Sequence, residues 1–277
     1  MFECVRISAV PPNECGGTLM LAQQRQASIL DRVRATGGVR VSELATEYGV
    51  SDMTIRRDLE ALADRGLLAK VHGGATTVNP GSAHEPGFAA KSVRQRDEKT
   101  AIAMRAASFV SPGDAIALSA GTTTAELAQR LVDVPSLTVV TNSIPVADVF
   151  YRAGRPDQTV VLTGGTRTPS DALVGPVAVA AIGTLHLDVL FLGVHGMSER
   201  AGYTTPNLME ADVNRALVEA AERLVVLADH TKWGTVGISS IVSLDRADVL
   251  ITDTGVDDDA RALLSETVPE LVVVNPQ

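Results

Sequence analysis

Cysteine is almost missing from this 277-residue chain: Cys4 and Cys15 are the only two, so nothing beyond the first fifteen residues depends on a disulfide or a thiolate metal site. The five histidines are scattered and show no ligand spacing, which predicts no metal centre and no cofactor held by one. No apolar run reaches the length of a membrane span. Residues 1–19 lack the basic start and apolar core of a secretory signal. A cytoplasmic protein with no membrane partner is the expectation. Positive charge is also in short supply. The formal net charge is -9, which at first sight argues against a nucleic-acid binder. The deficit is uneven, however: residues 20–75 carry eight Lys plus Arg against seven Asp plus Glu, while residues 76–277 carry fifteen against twenty-four. A near-neutral segment with clustered arginines can grip phosphates if the acidic body is held away from the duplex.

What is present is 45% hydrophobic and 21% charged, the balance of a globular protein long enough for two domains. Residues 1–19 hold Pro11-Pro12 and Gly16-Gly17 without periodicity and read as a disordered leader. Met20, just before a helical pattern, reads as the biological start. Gln23 to Ala35 is helical, with Ile29, Leu30 and Val33 on one side, and Gly37-Gly38 ends it. Ser42 is expected to cap a second helix, which Gly49 closes. Ser51 caps a third that runs to Leu62, where Ile55, Leu59 and Leu62 fall at i, i+4 and i+7 and form a buried stripe. Met53 and Arg57 point away from that stripe, flanked by Thr54 and Arg56. Helix, glycine turn, helix is the spacing of a helix-turn-helix whose second member enters the major groove. Met53 and Arg57 are placed nearest the base edges, and Ser51, Thr54 and Arg56 on phosphates. Taken alone, Arg56-Arg57 equally fits a solvated face paired to Asp52 or Glu60. Leu67 to Ala75 has strand character and a double glycine, as in a small wing where Lys70 and His72 touch the DNA backbone; His72 also fits plain turn chemistry.

Residues 76–96, with Asn79-Pro80-Gly81-Ser82 and Glu85-Pro86-Gly87, punctuate rather than pack and read as a linker. Arg94, Arg96 and Lys99 at its end read as a solvated lead-in to the next helix. Residues 97–277 alternate apolar strands and helices: strands at 115–118, 137–141, 159–162, 187–193, 224–228, 249–252 and 271–274, and helices at 99–110, 123–132, 144–152 and 211–221. Continuous apolar strands predict an open, mostly parallel sheet covered by helices on both faces. Ligands of such sheets bind beyond the carboxyl ends of the strands. Five loops there are polar or glycine-rich. Gly121-Thr122-Thr123-Thr124 offers amides and hydroxyls at a helix N-terminus, an anion cradle suited to a phosphate, although a plain helix cap accounts for it as well. The others are Thr141-Asn142-Ser143, Thr163-Gly164-Gly165-Thr166-Arg167, Gly193-Val194-His195-Gly196 and Asp229 to Gly234. Lys232 and Arg167 supply charge, and Asn142 is expected to face sugar hydroxyls.

The segments Gln24-Arg25-Gln26, Val41-Ser42-Glu43-Leu44-Ala45, Thr54-Ile55-Arg56-Arg57-Asp58-Leu59 and Val71-His72-Gly73-Gly74-Ala75 resemble the winged helix-turn-helix of DeoR-family bacterial transcriptional regulators. Ala120 to Thr124, Val140 to Ser143, Leu162 to Gly165, Leu173 to Pro176, Phe191 to Gly196, Thr204 to Asn207 with Glu210-Ala211, and Lys232-Trp233-Gly234 resemble the sensor domain of the same family, whose fold is similar to ribose-5-phosphate isomerase. The resemblance implies an α/β protein: an N-terminal winged helix-turn-helix followed by an open, mostly parallel α/β sensor domain. It implies a repressor of carbohydrate genes that binds double-stranded operator DNA, is relieved by a phosphorylated sugar, and works as a homo-oligomer, dimer or tetramer. Activation in place of repression stays open. Gly164, Gly165, His195 and Glu210 join the implied effector contacts, with a structural role for His195 as the alternative; Thr205, Asn207 and Glu210 either shape that site or serve subunit contacts, and the resemblance implies that the segment of Arg94, Arg96 and Lys99 can approach the effector site. Two positions depart from the family pattern: Ser119 and His195 stand where Asp is common. An isomerase needs a base near the sugar carbon, so the departure favours binding over turnover, with an active sugar-phosphate isomerase carrying a DNA-binding domain as the alternative.

Overall fold

The computed structural model describes residues 21–36, 38–65, 67–71, 73–76 and 87–276, and the chain divides into two compact units, residues 1–80 and 81–277. The expected leader, His72 and residues 77–86 of the expected linker lie outside the described residues. No helix among the described residues is long and apolar enough to cross a membrane.

The first unit runs α1 (Ala22–Thr36), β1 (Gly38–Arg40), α2 (Val41–Tyr48), α3 (Asp52–Asp64), β2 (Ala69–Val71) and β3 (Gly74–Thr76). Ile29 and Val33 of α1, Leu44 of α2 and Ile55, Leu59 and Leu62 of α3 are essentially inaccessible and meet in one core. Gly49 ends α2 at φ 62°, a left-handed turn that costs glycine nothing, and its amide bonds Ala45 O. The wing is a three-stranded antiparallel sheet in the order β1-β3-β2. Ser42 is not a cap: β1 runs directly into α2, whose first amide, Val41 N–H, donates to Gly73 O at 2.9 Å, and Arg40 occupies the cap position without a side-chain bond.

The second unit opens with α4 (Phe88–Ser92) and α5 (Arg96–Ala107), then β4 (Ala115–Leu118), α6 (Thr122–Leu131), β5 (Thr138–Thr141), α7 (Ile144–Ala153) and β6 (Thr159–Leu162). A short hairpin follows, β7 (Thr166–Arg167) and β8 (Leu173–Val174), with α8 (Pro176–Ile182) and β9 (Leu187–Gly193) after it. The chain ends with β10 (Gly196–Ser198), β11 (Gly202–Thr205), α9 (Leu208–Ala220), β12 (Ala221–Leu227), β13 (Ser239–Val242), β14 (Val249–Asp253), α10 (Asp258–Thr267) and β15 (Glu270–Val274). Seven of the strands form one sheet in the order β15-β14-β12-β9-β4-β5-β6, and every neighbouring pair in it is parallel.

Side-chain alternation explains the apolar runs. Val189 and Phe191 of β9, Val225 and Leu227 of β12, and Ile116 and Leu118 of β4 join one core with Ile102, Leu127 and Phe150 of α5, α6 and α7. Leu190, Leu192, Leu224, Val226 and Ala117 join the other with Ile182, Leu217 and Leu264 of α8, α9 and α10. Both faces are covered, so neither set of alternate positions is polar. β6 departs from the expected burial: Val160, Val161 and Leu162 are 37%, 38% and 44% exposed, because β6 is an edge strand whose outer side has no neighbour. Residues 88–96, read from sequence as the end of the linker, instead hold α4, which docks through Phe88 N–H on Pro169 O at 3.3 Å.

Between β6 and β7 two adjacent glycines face different constraints. Gly164 has φ 75°, and a Cβ there would meet only the Val177 side chain at 3.6 Å. Gly165 has φ 116°, and a Cβ would stand 2.4 Å from Val174 O in the β8 backbone. Gly164→Ala is expected to cost about 1 to 2 kcal/mol, the left-handed penalty alone. Gly165→Ala must also displace the hairpin backbone and is expected to cost clearly more; equal urea midpoints for the two variants would refute this account of the hairpin.

Candidate functional site

In the first unit the exposed face of α3 is the side that its core contacts leave free. Ser51 Oγ accepts from Thr54 N–H at 3.2 Å and lies 2.9 Å from Thr54 Oγ1, so the expected cap is present and both hydroxyls stand at the helix start. Met53 is 60% exposed, and Arg56 and Arg57 are exposed without an ion pair among the described residues. The alternative pairing with Asp52 or Glu60 is not seen among the described residues; Glu60 is engaged by the wing, where Lys70 Nζ donates to Glu60 Oε1 at 2.8 Å. That ammonium holds the Glu60 carboxyl below its ordinary value, first through the hydrogen bond and then through charge attraction. Lys70 therefore braces the wing against α3 in the free protein. Sequence reasoning passed over Asp58, a carboxylate inside the buried stripe, where Arg25 Nε donates to Oδ2 at 2.6 Å and Gln26 Nε2 to Oδ1 at 2.9 Å. Its signal was a charged residue at i+3 from Ile55.

In the second unit the five expected loops do share one edge, since all seven strands are parallel. The strand order reverses direction between β4 and β9: from β4 the chain builds outward through β5 and β6, then returns to β9 and builds the other way. Ligands of such sheets commonly bind at this reversal. Here the β4 and β9 ends are tied together, with Gly193 N–H donating to Ser119 Oγ at 2.9 Å and Ser119 N–H to Phe191 O at 3.1 Å. A Cβ on Gly121 would lie 3.8 Å from Gly193 Cα. Thr124 Oγ1 donates to Ser119 O at 2.7 Å and to Gly121 O at 3.0 Å, so this hydroxyl shapes the loop. Thr123 is also buried, which leaves Thr122 with the half-exposed hydroxyl. The first-turn amides of α6 have no intrahelical acceptor.

Asn142, expected to face sugar hydroxyls, is buried. It is 1% exposed; its Oδ1 accepts from Ala120 N–H at 2.9 Å and its Nδ2 donates to Leu173 O at 3.3 Å. It braces the β4 loop against β8, with both ends of its amide engaged inside the protein. Arg167 is exposed and paired, Nε to Asp171 Oδ1 at 2.7 Å, on a cleft shared with Asp148 and Arg152. His195 is half-buried, with its backbone N–H on Thr204 O at 3.1 Å. Glu210 accepts from Thr168 Oγ1 and Thr205 Oγ1, each at 3.1 Å, in the first turn of a helix capped by Asn207.

Lys99 is read from the residues as solvated, with an approach to the effector site implied by the family resemblance. It is 6% exposed, because α4 folds back over α5 and Lys99 Nζ donates to the carbonyls of Lys91 and Arg94. It lines one cleft with Thr122, Arg96 and Phe88. Lys232 stands on the same sheet edge, its Nζ 3.8 Å from Asp229 Oδ2. That oxygen is buried and makes no hydrogen bond. Beside it His230 Nδ1 lies 2.8 Å from Asp253 Oδ1. The burial of Lys99 was missed because its partners, the Lys91 and Arg94 carbonyls, are set by the fold of α4 and the turn after it.

Burial pushes the Lys99 ammonium down to about 8 from its ordinary 10.5; Asp229 draws it back up, while Lys232, Lys91 and Arg94 push it further down. Between these two values the unfolded chain keeps a proton that the folded chain has released, so stability rises with pH across that window. Lys99→Met is expected to stabilise the protein at neutral pH, and its advantage over the parent is expected to shrink by about pH 9.5 as the parent ammonium discharges. An advantage that stays constant in urea titrations at both pH values would contradict this.

The family model for the DeoR C-terminal sensor domain matches residues 94–254, and that for the DeoR-like helix-turn-helix domain matches residues 25–80. The chain is 38% identical over 259 residues to the uncharacterized HTH-type transcriptional regulator YgbI of Escherichia coli K12, covering 92% of this chain and 100% of that one. It is 37% identical to the HTH-type transcriptional regulator GlpR of Haloferax volcanii, covering 87% and 94%. It is 32% identical to a putative aga operon transcriptional repressor of Escherichia coli O157:H7, covering 91% and 93%. Among solved structures, ribose 5-phosphate isomerase A from Neisseria gonorrhoeae matches at a TM-score of 0.37 and 18% identity, covering 51% of this chain and 55% of that one. A helix-turn-helix unit with an exposed basic face, a sensor unit built on a parallel sheet, and relatives aligned over nearly their whole length lead to one conclusion: the chain belongs to the DeoR family of HTH-type transcriptional regulators.

Proposed function

We propose that the protein is a repressor of carbohydrate-metabolism genes that holds operator DNA through α3 and releases it when a phosphorylated sugar occupies the carboxyl edge of the parallel sheet. The observation that carries the reading is the cleft shared by Thr122, Lys99 and Arg96. The free amides of a helix start, the buried Lys99 ammonium and the exposed Arg96 guanidinium suit an anion with several acceptor oxygens, with the Glu126 carboxylate at the rim of the same cleft. Lys232 adds charge at the same edge, and His195 and Glu210 offer groups for the sugar. Repression accords with the relative that is named a putative aga operon transcriptional repressor.

On DNA, Met53 and Arg57 meet base edges while Ser51, Thr54 and Arg56 hold phosphates, with Lys70 at the wing. One winged helix covers too few base pairs for specificity, so the working form is at least a dimer. Control is linkage: the sugar phosphate binds one arrangement of the sensor units more tightly and thereby weakens the arrangement that fits the operator. Turnover has no part in this reading, since Ser119 and His195 stand where a carboxylate base is expected and the relatives bear the names of regulators. A panel of pentose and hexose phosphates should raise the melting temperature and release DNA without being converted; conversion would establish the isomerase alternative.

Arg57→Ala is expected to weaken binding to the operator by about 1 to 3 kcal/mol if its guanidinium pairs with a base edge, leaving non-specific binding nearly intact. Operator titrations indistinguishable from the parent would remove Arg57 from that role. Lys232→Ala is expected to bind operator normally while the sugar concentration needed for release rises about tenfold or more. Release at the parental concentration would displace Lys232 from the phosphate site.

A further inference from the structure

Asp58 stands where helical spacing calls for an apolar residue. The buried stripe of α3 is Ile55, Asp58, Leu59 and Leu62, and Asp58 is 4% exposed. Both of its oxygens are taken by α1, through Arg25 Nε at 2.6 Å and Gln26 Nε2 at 2.9 Å, and Arg25 is itself 7% exposed. Gln26 Oε1 accepts in turn from a guanidinium nitrogen of Arg65 at 3.0 Å, at the far end of α3. Ile29 and Val33 of α1 and Ile55 and Leu59 of α3 share one aliphatic core beside it.

Stability alone does not call for this arrangement. Two charges taken out of water lose hydration that their attraction restores only with good geometry, and apolar residues of similar volume commonly hold a fold at least as well. Aliphatic contacts, however, tolerate small rotations and slips. Two donors on α1 meeting two oxygens of one carboxylate do not, because both bonds form at a single rotation and a single height of α3. Successive helix positions lie about 100° apart, so setting the direction of Asp58 sets those of Arg57 beside it and of Met53 on the outer face.

We propose that the Arg25–Asp58–Gln26 network is a positioning device that fixes the rotation of α3, and so governs sequence discrimination and not the grip on phosphates or the stability of the unit. The inference rests on the reading of α3 as the helix that meets base edges. It is tested on the full-length protein with a duplex selected from a random pool by the parent protein and a scrambled duplex of the same composition, at one salt concentration. The double variant Arg25→Met with Asp58→Leu is expected to melt within a few degrees of the parent, to bind the scrambled duplex within about twofold, and to lose at least about tenfold in the ratio of selected to scrambled affinity. A folded double variant that keeps the ratio overturns the proposal, as does one that loses its fold, which would make the network structural. Asp58→Asn keeps the volume and one acceptor while removing the charge; it is expected to lower the ratio with little change in melting, and an unchanged ratio also overturns the proposal. Arg57→Ala on the same duplexes separates the two ideas. If it retains the ratio while both network variants lose it, the assignment of Arg57 fails and the positioning role stands; if it loses the ratio while they retain it, the reverse holds.

Discussion

A parallel sheet must bury both of its faces, and the second unit follows from that demand. Each parallel connection crosses from the end of one strand to the beginning of the next, so helices accumulate on both faces and every carboxyl end falls on one edge. The alternation of Leu190 and Leu192 into one core with Val189 and Phe191 into the other is the local expression of the constraint. Its functional expression is that loops far apart in sequence, at Gly121, Gly193 and Asp229, are gathered without any contact having been built to gather them. The strand order reverses between β4 and β9, the place where ligands of such sheets commonly bind.

The first unit meets a different demand with the same economy of means. A helix that presents charge to a ligand on one side must be held on the other by a core small enough to leave that side open. Three helices and a three-stranded wing supply such a core, with Lys70 reaching from the wing to Glu60 on the rim. The acidity of the chain belongs to the other unit, so a strongly negative protein still carries a helix whose outward arginines have no carboxylate partner among the described residues.

How much of this was legible in the sequence depended on the range of the interaction involved. Gly49 and Ser51 were readable because a left-handed turn and an N-cap are settled within four residues. The sheet strands were readable because burial on both faces writes itself as an unbroken apolar run. β6 has such a run and is nonetheless half exposed, since its place at the edge is a property of strand order. Asn142 looked like a ligand contact because it follows a strand; its amide is consumed by Ala120 and Leu173, and the latter is thirty-one residues away. Lys99 looked solvated because it follows a proline- and glycine-rich stretch, and the carbonyls that receive its ammonium belong to α4 and the turn after it. Asp58 was in plain view within the Arg-Arg-Asp string, yet its role lay in a partner on another helix.

Lys99 is a cation held largely out of water, with Lys232, Lys91 and Arg94 adding like charge around it and Asp229 offsetting part of that charge. On the proposed reading, an anion seated beside Lys99 would supply the negative charge that this cluster of cations lacks, so part of its affinity would come from relieving a repulsion already built into the fold.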